Sequence, residues 1–256
     1  MKEECMRDEP ILIIERIAEI PEEIEGPWNK WCDDVHIPNR LNVPGFVSAR
    51  RYRAVENERN ILARTGPSDE IALWPRRYVT LFELNSVDVL RSKAYRKLLD
   101  WEVSQPSSSF EATTPSLPNY QRATYEQVYP DQGKYQRPDT NFVFVMGHDV
   151  PPDSPDREEE FNVWYNTEHI PRFMKQVPGF AASRRFKLVE TELPLGANNT
   201  PSNARYLAIH DFENEDVPAS DAFLAARDTP WTRWVKSWYS RRFRILARCI
   251  YTKENR

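Results

Sequence analysis

The chain has 256 residues, with 35 Lys and Arg against 39 Asp and Glu and a formal net charge of −4. At 40% hydrophobic and 29% charged it has an ordinary globular composition, which excludes disorder as its main state and any bulk pull toward nucleic acid. Its seven glycines are too dispersed for a G-x-G-x-x-G loop or a P-loop, and Cys5, Cys32 and Cys249 form neither a disulfide framework nor a C-x-x-C metal pair.

The N-terminal stretch is acidic and polar, unlike a signal peptide, and the early aliphatic run Ile11–Ile14 is too short to span a bilayer. A soluble protein in the reducing cytoplasm is expected, with no nucleic-acid or membrane partner.

In chain order, Ile11–Ile17 reads as a strand and Trp28–Asn42 as a helix with apolar residues at helical spacing. Val-Pro-Gly-Phe at 43–46 ends the helix, since proline cannot continue it and glycine supplies the turn. Strands follow at Phe46–Ala54 and Tyr78–Leu84, then a helical region at Val87–Trp101, a loop at Gln105–Asn119 and a strand at Arg122–Tyr129. Tyr129–Asp139 reads as a linker. The series then recurs as strand Phe142–His148, helix Glu159–Gln176, strands Phe180–Val189 and Tyr206–Phe212, helical region Ala219–Trp238 and strand Arg244–Tyr251, with a loop at Glu192–Asn203.

The recurrence extends to residues. Trp31, His36-Ile-Pro, Val43-Pro-Gly-Phe and Arg50-Arg-Tyr return as Trp164, His169-Ile-Pro, Val177-Pro-Gly-Phe and Arg184-Arg-Phe, with one residue inserted. Two βαββαβ units, at 1–137 and 138–256, therefore predict an α+β fold: tandem ferredoxin-like repeats forming an intramolecular, pseudo-dimeric α/β barrel. Such a chain is expected as a monomer, or as a homodimer through exposed edges.

The W-Y-x-x-x-H-I-P, V-P-G-F and R-R-F pattern of residues 164–186, with D-T-P-W at 228–231, resembles the EthD-like family of the dimeric α/β-barrel superfamily, in particular its fungal polyketide-pathway members. Half one departs from it, with Cys32 in the tyrosine position and no D-T-P-W. The resemblance implies a pocket between helices and sheet in each half. It also implies secondary-metabolite biosynthesis by a lyase, cyclase or cofactor-free monooxygenase; some distant relatives bind haem.

Four histidines are present, His36, His148, His169 and His210. His169 is expected to be a general acid/base, because imidazole titrates near neutrality, with Tyr165 one helical turn before it as partner. His36, beside Cys32, is the weaker copy. Asn166 and Glu168, where half one has Asp33 and Val35, give half two the more polar surroundings. His210 lines the pocket if its strand face points to the helices, and His148 ends a neighbouring strand. Trp164 and Trp231 are expected as an aromatic wall, Trp234 and Trp238 as core. In each Arg-Arg pair one side chain is expected inside and one at solvent, the inner one paired with an acid across the barrel. No metal ligand set has recognisable spacing, and no cofactor is expected.

The expected function is a cofactor-independent lyase or cyclase (dehydration, decarboxylation or ring closure) on an apolar aromatic or polyketide-type small molecule. The alternatives are a cofactor-free monooxygenase and a non-catalytic protein that binds the substrate and guides its stereochemistry.

Overall fold

The computed structural model describes residues 11–17, 20–55, 78–117, 120–131, 134–189 and 203–255. Cys5, the Arg76–Arg77 pair and nearly all of the 192–203 loop lie outside them.

Eight antiparallel strands close into a barrel: β1 (Ile11–Ile17), β2 (Phe46–Ala54), β3 (Tyr78–Leu84), β4 (Gln121–Tyr129), β5 (Phe142–Asp149), β6 (Phe180–Leu188), β7 (Tyr206–Phe212) and β8 (Ser240–Glu254). Around the barrel the order is β1-β3-β2-β8-β5-β7-β6-β4, with β4 returning to β1. Within each half the first and third strands lie at the centre, the ferredoxin-like arrangement. Two seams join the halves. Ser48 to Ala54 runs against Glu254 to Ala247, and Tyr125 to Tyr129 runs against Leu188 to Arg185. Because the barrel closes, each described strand of this sheet is paired on both sides.

Alternation sorts the side chains. Leu81, Val143, Val145, Phe186, Leu207, Ile209 and Ile245 fill the barrel interior. Tyr206, Ala208 and Phe212 of β7 and Leu246 of β8 face the helices instead.

The helices pack outside. The first half has α1 (Glu22–Trp31), α2 (Ile37–Leu41), α3 (Lys93–Ser104) and α4 (Phe110–Thr113); the second has α5 (Pro155–Trp164), α6 (Ile170–Gln176), α7 (Asp221–Ala226) and α8 (Pro230–Lys236). The recurring serines are caps: Ser92 accepts from the Tyr95 amide at 3.1 Å and Ser220 from the Phe223 amide at 3.2 Å. The two Val-Pro-Gly-Phe glycines, Gly45 and Gly179, have φ of 101° and 80°. A side chain there would also run into Val89 or Val217, so only glycine suits either turn. The segment Gln105–Asn119, expected as a loop, contains α4 and a 3₁₀ turn at Thr114–Ser116, because Ser109 caps Ala112.

Between α1 and α2, and again between α5 and α6, the helix widens into a π turn, Cys32–His36 and Tyr165–His169. The Ile37 amide bonds the Cys32 carbonyl and the Ile170 amide the Tyr165 carbonyl, each five residues back. Pro38 and Pro171 come next and have no N–H to continue the ladder.

In the Arg50–Arg51 and Arg184–Arg185 pairs the side chains divide as alternation requires, but neither member reaches solvent. Arg50 and Arg184 point into the barrel, where Glu83 accepts from Arg50 Nη2 at 2.8 Å and Arg184 Nη1 at 2.7 Å. One carboxylate therefore ties β2 and β3 to β6 of the other half. Arg51 and Arg185 turn outward and are buried under the helices. The two arginines hold the Glu83 carboxyl at about 2, below its ordinary 4.5, against burial acting the other way. The pair's stabilisation is therefore present above pH about 4.5 and lost as pH falls toward 2. Glu83→Gln is expected to cost on the order of 3 kcal/mol at pH 7 in urea unfolding, and to flatten the acid limb of stability against pH.

Candidate functional site

Each half builds the same scaffold beneath its first helix. In half one, Arg51 donates to Asn29 Oδ1 and Asp33 Oδ1, both at 2.5 Å; Asn29 Nδ2 donates to the Tyr78 hydroxyl at 3.0 Å, which donates to Glu25 at 2.5 Å. In half two, Arg185 donates to Asn162 at 2.7 Å and Asn166 at 2.6 Å; Asn162 donates to the Tyr206 hydroxyl at 3.1 Å, which donates to Glu158 at 2.5 Å. The chemical change is Asp33 to Asn166. Arg51 faces a carboxylate, whereas Arg185 has amides and the rings of Tyr165 (4.4 Å), Phe161 (5.1 Å) and Tyr206 (5.5 Å). Burial without a nearby carboxylate lowers the Arg185 guanidinium to about 10, and its charge acts on what lies above it.

Above it lies a cavity of about 40 Å³ lined by His148, Tyr165, His169, His210, phenylalanines and the cations Arg227, Lys236 and Arg244. The π turn sets the imidazole of His169 4.3 Å from the indole of Trp164, five residues before it, and 4.9 Å from the Tyr165 ring. Tyr165 and His169 do meet, but through a π turn rather than the regular helical turn expected. His210 faces the helices and shares a 2.8 Å hydrogen bond with Ser183 through Nδ1. His148 packs 5.7 Å from Tyr165 and 5.2 Å from Tyr239.

Burial, with the positive charge of neighbouring groups including Lys236 and Arg185, pushes His169 well below its ordinary 6.5; burial and Arg185 push His210 to about 3. His169 Nδ1 has no hydrogen-bond partner among the described residues. The cause lies one turn on: Phe173 stands at the i+4 position, 4.6 Å from the ring, where half one has Arg40.

Several expected residues lie elsewhere. Trp231 bonds Glu160 through its indole at 3.2 Å and does not line the cavity. The D-T-P-W segment is a helix start: Thr229 caps Thr232, whose hydroxyl accepts from the Trp164 indole at 3.2 Å. Trp164 thus orients His169 without lining the cavity, and Asn166 serves Arg185. Glu168 is half-buried outside the cavity, and Trp234, expected in the core, is 54% exposed. Sequence reasoning missed Arg185, Ser183, Arg227, Lys236 and Arg244. For Arg185 the signal was the loss of the Asp33 carboxylate where the arginine remains.

The roomier of the two pockets lies in half one. Beside His36 is a cavity of about 500 Å³, and Arg40 donates to His36 Nδ1 at 3.0 Å while Glu102 accepts from Arg40 at 2.7 Å.

Among the described residues no group of three His, Cys, Asp or Glu is gathered to hold a metal ion, and no helix is long and apolar enough to cross a membrane. A haem macrocycle does not fit a space of about 40 Å³ beside His169.

Because His169 and His210 are neutral in the fold and protonated in an unfolded chain below pH about 6.5, they contribute stability above that pH that is lost on acidification. Asn166→Asp is expected to give Arg185 the counter-ion Arg51 has, raising both imidazole midpoints; ¹⁵N-detected histidine titration would read the shift, and unmoved midpoints would refute this account of the field.

No family model and no curated protein matches the sequence. Solved structures share its architecture. An anthrone oxidase-like protein matches with a TM-score of 0.55 at 13% identity, over 96% of this chain and 94% of its own. A protein from Fusobacterium nucleatum subsp. nucleatum, provisionally designated a monooxygenase, matches at 0.53 and 11%, over 98% and 96%. A provisionally designated chlorite dismutase matches at 0.52 and 11%, over 95% of each. At these identities the likeness is one of fold: an α+β chain with a curled antiparallel sheet of ferredoxin-like, chlorite dismutase-like type.

Proposed function

We propose that the chain is a cofactor-independent enzyme that takes a proton from an activated aromatic or polyketide-type substrate at His169 and passes the resulting carbanion to dioxygen. The observation that carries this reading is a buried, neutral imidazole with an unpartnered Nδ1, in a cavity whose charged liners are all cations. A neutral base accepts a proton, and fixed positive charge favours the anion left behind. Trp164 holds the ring and Tyr165 lies between it and Arg185. His148 and His210 are further groups able to relay protons. For a substrate ring to reach His169, the side chains of Arg227, Lys236, Tyr239 and Arg244 that line the cavity would have to swing outward.

In the balanced reaction a substrate methylene becomes a carbonyl. One oxygen atom enters the product and the other leaves as water with the two methylene protons. The names of the anthrone oxidase-like and monooxygenase neighbours favour this branch over dehydration, decarboxylation or ring closure. A cavity the size of a small molecule such as dioxygen agrees with it. We further read residues 1–137 and 138–256 as EthD-like tandem copies. The matching strand order, the two π turns and the duplicated Glu-Asn-Arg-Tyr network support that reading.

With anthrone as probe, the wild-type chain is expected to consume oxygen in step with substrate, and His169→Ala to lower kcat by about 10²–10⁴-fold. The lowered histidine midpoint predicts kcat/KM that stays level from pH 8 down past 6.5 before falling. Turnover of a polyketide substrate without oxygen would mean a lyase; tight binding that survives His169→Ala without turnover would mean a binding protein.

A further inference from the structure

We propose that the cavity of about 500 Å³ beside His36 is a second ligand site, and that it takes a planar aromatic anion. Its volume lies in the range of about 300–1,000 Å³ that encloses ligands of some twenty atoms, whereas the His169 cavity does not. Half one adds the wall: Ala112, Thr114 and Pro115 of the 105–119 insertion line it, and half two has no such insertion. That wall is fastened to the first helix twice, by Trp31 donating to Glu111 at 2.7 Å and Trp28 to Thr114 at 3.2 Å.

The lining has an aromatic part and a charged part, in which Arg40, Arg96 and Arg122 stand with Asp100, Glu102 and Glu111; Glu102 is engaged by Arg40 and Glu111 by the Trp31 indole. Trp31, tilted against His36 with ring centroids 4.7 Å apart, supplies an aromatic surface with Leu99 and Tyr120 nearby. Donors meet it from the buried side. Arg40 can only donate, so His36 Nδ1 accepts, and a neutral ring then carries its proton on Nε2 as a hydrogen-bond donor. Arg122, 5% exposed, lines the cavity with Nη2 on the Tyr95 hydroxyl at 3.2 Å; it stands at the position Arg244 takes in the other half. An aromatic face bounded by arginine and imidazole N–H recognises a ring bearing a carboxylate, phenolate or enolate. The Glu102–Arg40–His36 chain makes this a site for holding an anion, in contrast to the open base of half two. The inference does not rest on the reaction proposed for His169.

The test is calorimetric binding of 2-naphthoate and its uncharged counterpart 2-naphthylmethanol to the full chain. One molecule of naphthoate is expected to bind, with the alcohol at least tenfold weaker. Arg122→Gln is expected to weaken naphthoate tenfold or more. Ala112→Trp, at an exposed helix position where folding is retained by circular dichroism, is expected to abolish binding by filling the space. His169→Ala is expected to leave it unchanged. No naphthoate binding, equal binding of the alcohol, wild-type affinity in Ala112→Trp, or loss in His169→Ala would each overturn the proposal.

Discussion

The structure of both pockets hangs on a proline two residues after a histidine. In a regular helix each amide reaches four residues back, and an interior proline removes one such bond while its ring crowds the carbonyl it would have used, at a cost of about 3 kcal/mol. Here the helix avoids the clash by widening one turn earlier, so that Ile37 and Ile170 reach five residues back. The change moves side-chain neighbours from i+4 toward i+5. Trp31 meets His36 and Trp164 meets His169, and each imidazole is fixed between an indole and the sheet. Burial of Ile37 and Ile170, nearly complete in both halves, supports the widened turn.

On that shared frame a few substitutions produce opposite chemistry. Arg40 against Phe173 decides whether the histidine is tied or open. Asp33 against Asn166 decides whether the underlying arginine meets a carboxylate or neutral amides. Phe82, edge-on to His36 at 5.9 Å, has His210 as its counterpart. Half one thus gathers cations with matching acids around a large space. Half two gathers cations and neutral imidazoles around a small one, where the rings of Phe173 and Phe223 take up the room.

Much of the fold was legible because alternation and turn chemistry are local. Ile11–Ile17, Phe46–Ala54, Tyr78–Leu84 and Tyr206–Phe212 are strands at the expected bounds. Ile11–Ile17 and Tyr78–Leu84 are dense in β-branched or aromatic residues, Phe46–Ala54 starts at a Val-Pro-Gly-Phe turn, and Tyr78–Leu84 ends near the Ser86 cap. The faces were less legible. Both members of an Arg-Arg pair are buried, because the outer face of this sheet is roofed by helices rather than open to water. The tryptophan stripe of α8 was misread for the converse reason: Glu160 meets two of its indoles at the protein surface. Cavity volume was illegible, since it depends on an insertion whose helix is set by one serine cap and on how far a phenylalanine reaches.

The position of β8 in the barrel orders how the molecule can assemble. It follows every other strand in the chain, yet it stands between β5 of its own half and β2 of the other. Without it the second half lacks one of its outer strands, one of the two seams stays open, and Arg244 is missing from the histidine cavity. The earlier strands can therefore curl only into an open trough with its apolar lining exposed. Closing it pairs residues some two hundred positions apart, a slow step by loop entropy. Until β8 pairs, the interior stays unsealed, and the histidine cavity is completed by the same stroke that closes the barrel.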